Sequence, residues 1–208
     1  DKYNILNTKI YEEPYLNKKL GYSIFNLIDL KKAKLKYCLE MYFDKKSNNE
    51  NILLEFKVGG TRTILNGYNK NKPKYNLLFG KIDDRTFNLF VNKHFELAGR
   101  KTKSDICWEL IKKMIIDKKA LLLESNNNYI LYFISDEYSH YAINACSKKD
   151  KIVIFLLYEG IKWLIENNCK FIHFGTFPKY MKDEKNINIS TFKMSLCNHM
   201  YTQYYIEL

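Results

Sequence analysis

The stretch IVIFLLYEGIKWLIEN, residues 152–167, constrains the fold more than any other part of the chain. Glu159, Lys162 and Glu166 recur at i, i+3 and i+7 and form one narrow polar stripe on an otherwise apolar rod. That pattern predicts a helix buried on most sides. The neighbouring sequence supplies a sheet to bury it. ALLLES (120–125), YILYFIS (129–135) and YSHYAINAC (138–146) read as three successive strands, and KFIHFG (170–175) as another after the helix. A hairpin through Asn126–Asn128 is the strongest local signal.

The remaining elements follow from caps and periodicity. KYNLLFG (74–80) is a strand that ends at Gly80. Asp83 and Asp84 cap a helix over 84–98, whose Phe87, Phe90, Val91 and Phe95 share a face, and Gly99 stops it. Ser104 and Asp105 open a second helix, with Ile106, Leu110 and Met114, together with Cys107, Ile111 and Ile115, expected as its buried face. ISTFKMSL (189–196) reads as a short helix and YTQYYIEL (201–208) as a last strand. The order over 74–208 is β-α-α-β-β-β-α-β-α-β, an α+β fold whose central sheet is mixed, mostly antiparallel and flanked by helices. Before it, YSIFNLI (22–28) and NILLEFKV (51–58) resemble strands, a helix is expected over 29–43, and NKNKPK (69–74) is the linker candidate. Residues 1–73 are thus expected to be an N-terminal α/β extension and residues 74–208 the main domain.

A net charge of +11 favours an anionic partner such as a nucleotide cofactor, RNA or anionic lipid, although a solvated lysine coat would have the same composition. The five cysteines, at 38, 107, 146, 169 and 197, form no CxxC pair, which fits a reducing cytoplasm better than a disulfide framework. The longest apolar run, IVIFLLY at 152–158, is far short of the roughly 18 residues that span a bilayer. Neither Cys169/His173 nor Cys197/His199 has zinc-site spacing, so no metal is expected, and no G-x-S-x-G elbow marks a serine hydrolase.

The order of elements resembles the GNAT acyltransferase fold. Four motifs narrow the resemblance: AGRKTKSDICWELIKKMI, the paired strands ending SHYAINAC, LLYEGIKWLIENNCKFIHFGT, and STFKMSL. In that order they resemble the FemAB-like branch, the peptidoglycan-bridge aminoacyltransferases and their surface-polysaccharide relatives, over about residues 83–208. The resemblance implies that residues 1–73 are a truncated first GNAT-like unit and that GGTRTILNGYNK (59–70) is the basic link between units. It implies an acyl- or aminoacyltransferase that forms an amide on an amino sugar or peptide amine of a cell-envelope precursor. The co-substrate would be acyl-CoA or aminoacyl-tRNA, with no tightly bound cofactor. The protein would be cytoplasmic, with peripheral membrane contact and no transmembrane segment.

The resemblance also assigns residues. Phe192 and Lys193 match the pair at the donor end of the cleft, where a desolvated ammonium would hold the oxyanion of acyl transfer or the donor phosphates. By spacing alone, a surface lysine beside a core phenylalanine is the plainer reading. His140, Tyr141 and Asn144 lie on the strand whose free amides polarise the acyl carbonyl. Strand alternation puts His140 and Tyr141 on opposite faces, and Tyr141 is the favoured cleft residue. Arg100, Lys101 and Asp105 border the acceptor pocket, with Asp105 equally well explained as a helix-start residue. Where acyl-CoA enzymes of this fold carry a glycine-rich loop, this chain has SKKDK, so Lys148, Lys149 and Lys151 would bind phosphate by charge or simply form a solvated turn. His173 stands where relatives commonly have an acid. The alternative to an enzyme is an inactive GNAT-like module that binds RNA or a nucleotide through its lysines and tyrosines.

Overall fold

A computed structural model describes residues 9–11, 34–44, 59–147, 151–177 and 184–207. Its centre is an eight-stranded sheet. In chain order the strands are β1 (Lys9–Tyr11), β2 (Lys34–Asp44), β3 (Asn76–Leu78), β4 (Ala120–Ser125), β5 (Asn128–Ser135), β6 (Tyr138–Ala145), β7 (Phe171–Phe177) and β8 (His199–Glu207). The described helices are α1 (Gly59–Lys70), α2 (Asp84–Ala98), α3 (Asp105–Ile116), α4 (Ile152–Glu166) and α5 (Glu184–Met194). Across the sheet the order is β1-β8-β2-β7-β6-β5-β4-β3. Neighbours are antiparallel except β6 and β7, which are parallel and joined by the crossover helix α4. The mixed, mostly antiparallel sheet expected from the sequence is present, with its elements in the expected order from β3 onward.

Strand alternation divides the core between two faces. Leu121, Leu123, Ile130, Tyr132, Ile172 and Phe174 face α4, where Phe155, Leu156, Ile161 and Leu164 are buried against them. Leu122, Leu131, Ile143 and Ala145 face α2 and α3, meeting Phe87, Phe90, Trp108, Ile111 and Ile115. The caps act as their sequence suggests. The Thr86 N–H donates to Asp83 Oδ1, the Cys107 N–H donates to Ser104 Oγ, and Gly99 closes α2 at φ 66°. The β4–β5 hairpin turns on Asn126 and Asn127, both with positive φ, the primed turn that suits twisted strands.

Two expectations need correction. The segment expected to be a helix over 29–43 contains β2 instead. Leu35, Tyr37, Leu39, Met41 and Phe43 alternate with Lys34, Lys36, Cys38, Glu40 and Tyr42, a period of two that serves a strand bonded on both sides. Residues 59–70, expected as a basic link, form helix α1, with Leu65 buried and Tyr68 packed on Phe155 of α4. On α3 the buried side chains are Trp108, Ile111 and Ile115, while Cys107, Ile106 and Leu110 are exposed. Helix α4 is buried on most sides, as expected, and Lys162 and Glu166 of its polar stripe stay at or near the surface. Glu159 is buried, accepting from the Tyr75 hydroxyl at 2.7 Å and from Lys72 Nζ at 3.0 Å. Burial and the Glu159 contact together push the Tyr75 hydroxyl pKa far above its ordinary value. The strands expected at 22–28 and 51–58 lie outside the described residues.

Candidate active site at the parting of β6 and β7

The parallel ladder between β6 and β7 is short. It joins Tyr138 to Phe171, Ser139 to Ile172 and His140 to His173, and stops there. β6 nevertheless stays paired with β5 as far as Ala145, and β7 with β2 as far as Phe177. The two strands therefore part beyond His140 and His173, each held by its other neighbour. Register shifts explain where this happens. On β6, Tyr141 pairs with Tyr132 and Ile143 with Leu131, so Ala142 is an extra residue. On β7, His173 pairs with Tyr42 and Gly175 with Met41, so Phe174 is extra. A bulge bends its strand and sharpens its twist. Two bulges, one on each strand at the same level, turn the facing edges away from each other and leave backbone donors and acceptors of β6 unclaimed by β7.

The bulge at Ala142 also reassigns faces. Tyr141 belongs to the α4 face whereas Ile143, two residues on, belongs to the α2–α3 face. His140 pairs with Phe133, which packs on the α2–α3 side, so His140 and Tyr141 do point to opposite faces.

Lys193 reaches into this opening from the last turn of α5. Its Nζ lies 5.7 Å from the centroid of the Tyr141 ring. A Cβ added to Gly175 would sit 3.1 Å from the same Nζ. Gly175 has φ 94°, a conformation that favours glycine, so its missing side chain both permits the backbone turn and leaves room for the ammonium. The preceding residue, Phe192, is half-buried and packs on the core, which fixes the helix end. Ser195 Oγ donates to the Phe192 carbonyl at 2.7 Å, and the Leu196 N–H donates to the Lys193 carbonyl at 3.0 Å. These bonds hold the last turn and with it the direction of the lysine.

Tyr141 is buried between Phe174 and Tyr132, at ring distances of 5.6 and 5.9 Å. Burial pushes its hydroxyl pKa well up, with a nearby Cys146 acting in the same direction and the Asn144 side chain opposing. The phenol is therefore protonated at neutral pH and suited to donating a hydrogen bond rather than removing a proton. Asn144 is exposed, and its Oδ1 accepts from the Cys146 N–H at 2.9 Å. On the other face, His140 Nδ1 and His173 Nδ1 are 3.0 Å apart at the last rung before the strands part, so one imidazole donates to the other. The Tyr138 ring lies 6.3 Å from His173.

The other expected site residues are placed differently. Lys101 Nζ pairs with Asp105 Oδ1 at 2.7 Å on the exposed loop and first turn of α3, and Arg100 is exposed beside them. The contacts of Lys101 and Asp105 are with each other, not with the Lys193–Tyr141 cluster. Lys151 is exposed at the N-terminus of α4, without a side-chain cap. Lys148 and Lys149 lie outside the described residues. Among the described residues, no group of three or more His, Cys, Asp or Glu is placed to hold a metal ion, and no helix is long and apolar enough to cross a membrane.

Two features of the site, Gly175 and the pairing of His140 with His173, stand out only in the structure. A glycine after a short apolar strand was the visible signal for the first. The second depends on a parallel register between strands 33 residues apart, which no local pattern encodes.

No family profile matches the sequence, and neither does any curated protein. Solved structures do resemble it in fold. L-PGS from Bacillus licheniformis aligns with a TM-score of 0.62 at 12% identity, over 96% of this chain and 67% of that one. FemX aligns with a TM-score of 0.58 at 13% identity, over 82% of this chain and 61% of that one. The C-terminal domain of a putative lysylphosphatidylglycerol synthetase from Agrobacterium fabrum aligns with a TM-score of 0.60 at 10% identity, over 97% of this chain and 67% of that domain. The chain spans about two thirds of the length of each. At such identities the likeness is one of fold. The fold is the GNAT-like one expected from the order of the elements, and its parted parallel strands are where Lys193 and Tyr141 meet.

Proposed function

We propose that this protein transfers an aminoacyl or acyl group to an amine of a cell-envelope precursor, on an amino sugar or a peptide, as FemAB-like enzymes do. The observation that carries the reading is the Lys193 ammonium beside Tyr141 and Gly175 in the opening between β6 and β7. The fold shared with FemX and L-PGS supports it. An amine attacking an ester or thioester carbonyl forms a new N–C bond and a tetrahedral oxyanion. Lys193 stabilises that oxyanion, and the protonated Tyr141 donates to it or to the departing oxygen or sulfur. The proton lost by the amine passes to the His140–His173 imidazole pair at the foot of the opening. No covalent enzyme intermediate is needed. The donor is a phosphate-bearing molecule, and the absence of a glycine-rich loop before α4 favours aminoacyl-tRNA over acyl-CoA.

The test is transfer of label from a mixture of charged tRNAs, or from acyl-CoA, to a peptide or amino-sugar amine. Wild type is expected to transfer. Lys193→Ala is expected to lose turnover ~100-fold or more with donor affinity little changed, the size typical of removing one oxyanion donor. Normal turnover in Lys193→Ala would remove the lysine from the chemistry. Salt-sensitive RNA binding with no transfer by wild type would replace the enzyme with a binding module.

A further inference from the structure

Helix α3 has two apolar faces, and the core uses one of them. Trp108, Ile111 and Ile115 are buried against the sheet. At about 100° per residue, Ile106, Leu110 and Lys113 fall on the opposite side of the helix. Ile106 is 74% exposed and Leu110 55%, more than any other large apolar side chain among the described residues. Ile116, 47% exposed, stands at the flank of the same surface. The segment that carries the aliphatic groups is net cationic: residues 100–119 hold seven Lys or Arg against three Asp or Glu, with Lys101 paired to Asp105 and Lys112 to Asp84. Lys113, Lys118 and Lys119 are all exposed.

We propose that the outward face of α3 is a docking surface for an anionic lipid bilayer, with Ile106 and Leu110 entering the headgroup boundary and the surrounding lysines meeting lipid phosphates. Short aliphatic anchors within a basic surface are the chemistry of peripheral attachment. A second copy of the chain is a poor occupant. A two-fold contact would set the cationic segment against itself, and two side chains fall far short of the roughly 800 Å² per partner of a specific interface. A soluble polyanion would use the lysines but leave the aliphatic groups in water.

The inference rests on the proposed function in one respect: a bilayer is where an envelope acceptor would be met. α3 belongs to the layer that covers the His140–His173 face of the sheet. An acceptor drawn from the membrane would reach the opening from that face, leaving the face of Tyr141 to the donor.

Vesicle flotation of the full chain tests the surface without donor or acceptor, so its failure is separate from failure of the transfer reaction. The protein is expected to float with vesicles of phosphatidylcholine containing phosphatidylglycerol, weakly with phosphatidylcholine alone, and less as salt is raised. The double substitution Ile106→Ser with Leu110→Ser is expected to weaken binding by about tenfold or more, at an unchanged thermal midpoint because both side chains are exposed. Lys113→Glu is expected to weaken binding to the anionic vesicles only. Absence of flotation by wild type would overturn the proposal, as would equal flotation of the double variant. A concentration-dependent dimer that the double variant abolishes would assign the face to a second copy and overturn it too.

Discussion

Gly175 and Lys193 form a unit at the residue scale, because the room taken by the ammonium is the room a Cβ would need. Gly175→Ala would put a side chain at φ 94° and press it on Lys193 Nζ. A loss of about 1–3 kcal/mol in stability is expected from the backbone alone, together with a fall in turnover like that of Lys193→Ala. Urea unfolding and label transfer measure the two separately, and full turnover in a folded Gly175→Ala protein would show that the lysine position does not matter. His94 supplies a pH dependence. Burial holds its pKa below the ordinary 6.5, with Lys103 adding repulsion. The unfolded chain therefore takes up this proton first as pH falls. Stability is full above about pH 6.5 and declines as pH drops through that value toward the lower folded pKa. Replacing His94 by Gln is expected to reduce that decline, compared by urea midpoints at about pH 7 and about pH 5.

The element that organises the molecule is α4, and its packing depends on one close approach. A Cβ at Gly160 would meet Tyr132 Cε2 at 2.5 Å and Leu123 Cδ1 at 3.1 Å. Tyr132 is fully buried, and its hydroxyl donates to the Leu157 carbonyl at 3.2 Å, so the ring has little freedom to yield. Gly160→Ala raises helix propensity by roughly 1 kcal/mol in principle. Overpacking of about 1–3 kcal/mol is expected to outweigh it, giving a net lower thermal midpoint. A midpoint raised by the substitution would mean that α4 can lift from β4 and β5 without cost. The buried Glu159 works in the same element, tying Tyr75 and Lys72 ahead of β3 to α4. α3 gives the contrary lesson, for its second apolar stripe lies away from the core.

For the whole molecule, the strand from the first quarter of the chain is decisive. β2 is hydrogen-bonded to β8 on one side and β7 on the other, and β1 lies beyond β8. A chain that began at residue 74 would leave β7 and β8 with open edges and remove the strand that holds β7 in its bulged register. Open edges of that length are aggregation surfaces. Such a truncated chain is expected to be insoluble on expression, and recovery of a soluble, cooperatively melting 74–208 fragment would show that the edges close by other means.

Local chemistry was legible from residues alone. Asp83, Ser104 and Gly99 mark helix ends because caps depend on neighbours within four residues, and Asn126 with Asn127 marks a hairpin for the same reason. The apolar rod of α4 required a sheet, and the order of the elements from β3 onward followed. Periodicity was less decisive where two faces were both apolar. On α3, Ile106–Leu110 and Trp108–Ile111–Ile115 both satisfy helical spacing, and only packing chose between them. The segment of β2 fits either period, and two neighbouring strands, remote in sequence, settled it. The site was legible as residue types, a lysine beside a phenylalanine and a tyrosine beside a histidine. Its geometry was not. That Lys193 meets Tyr141 depends on bulges at Ala142 and Phe174, which arise from the mismatch of registers among four strands and belong to the tertiary structure alone.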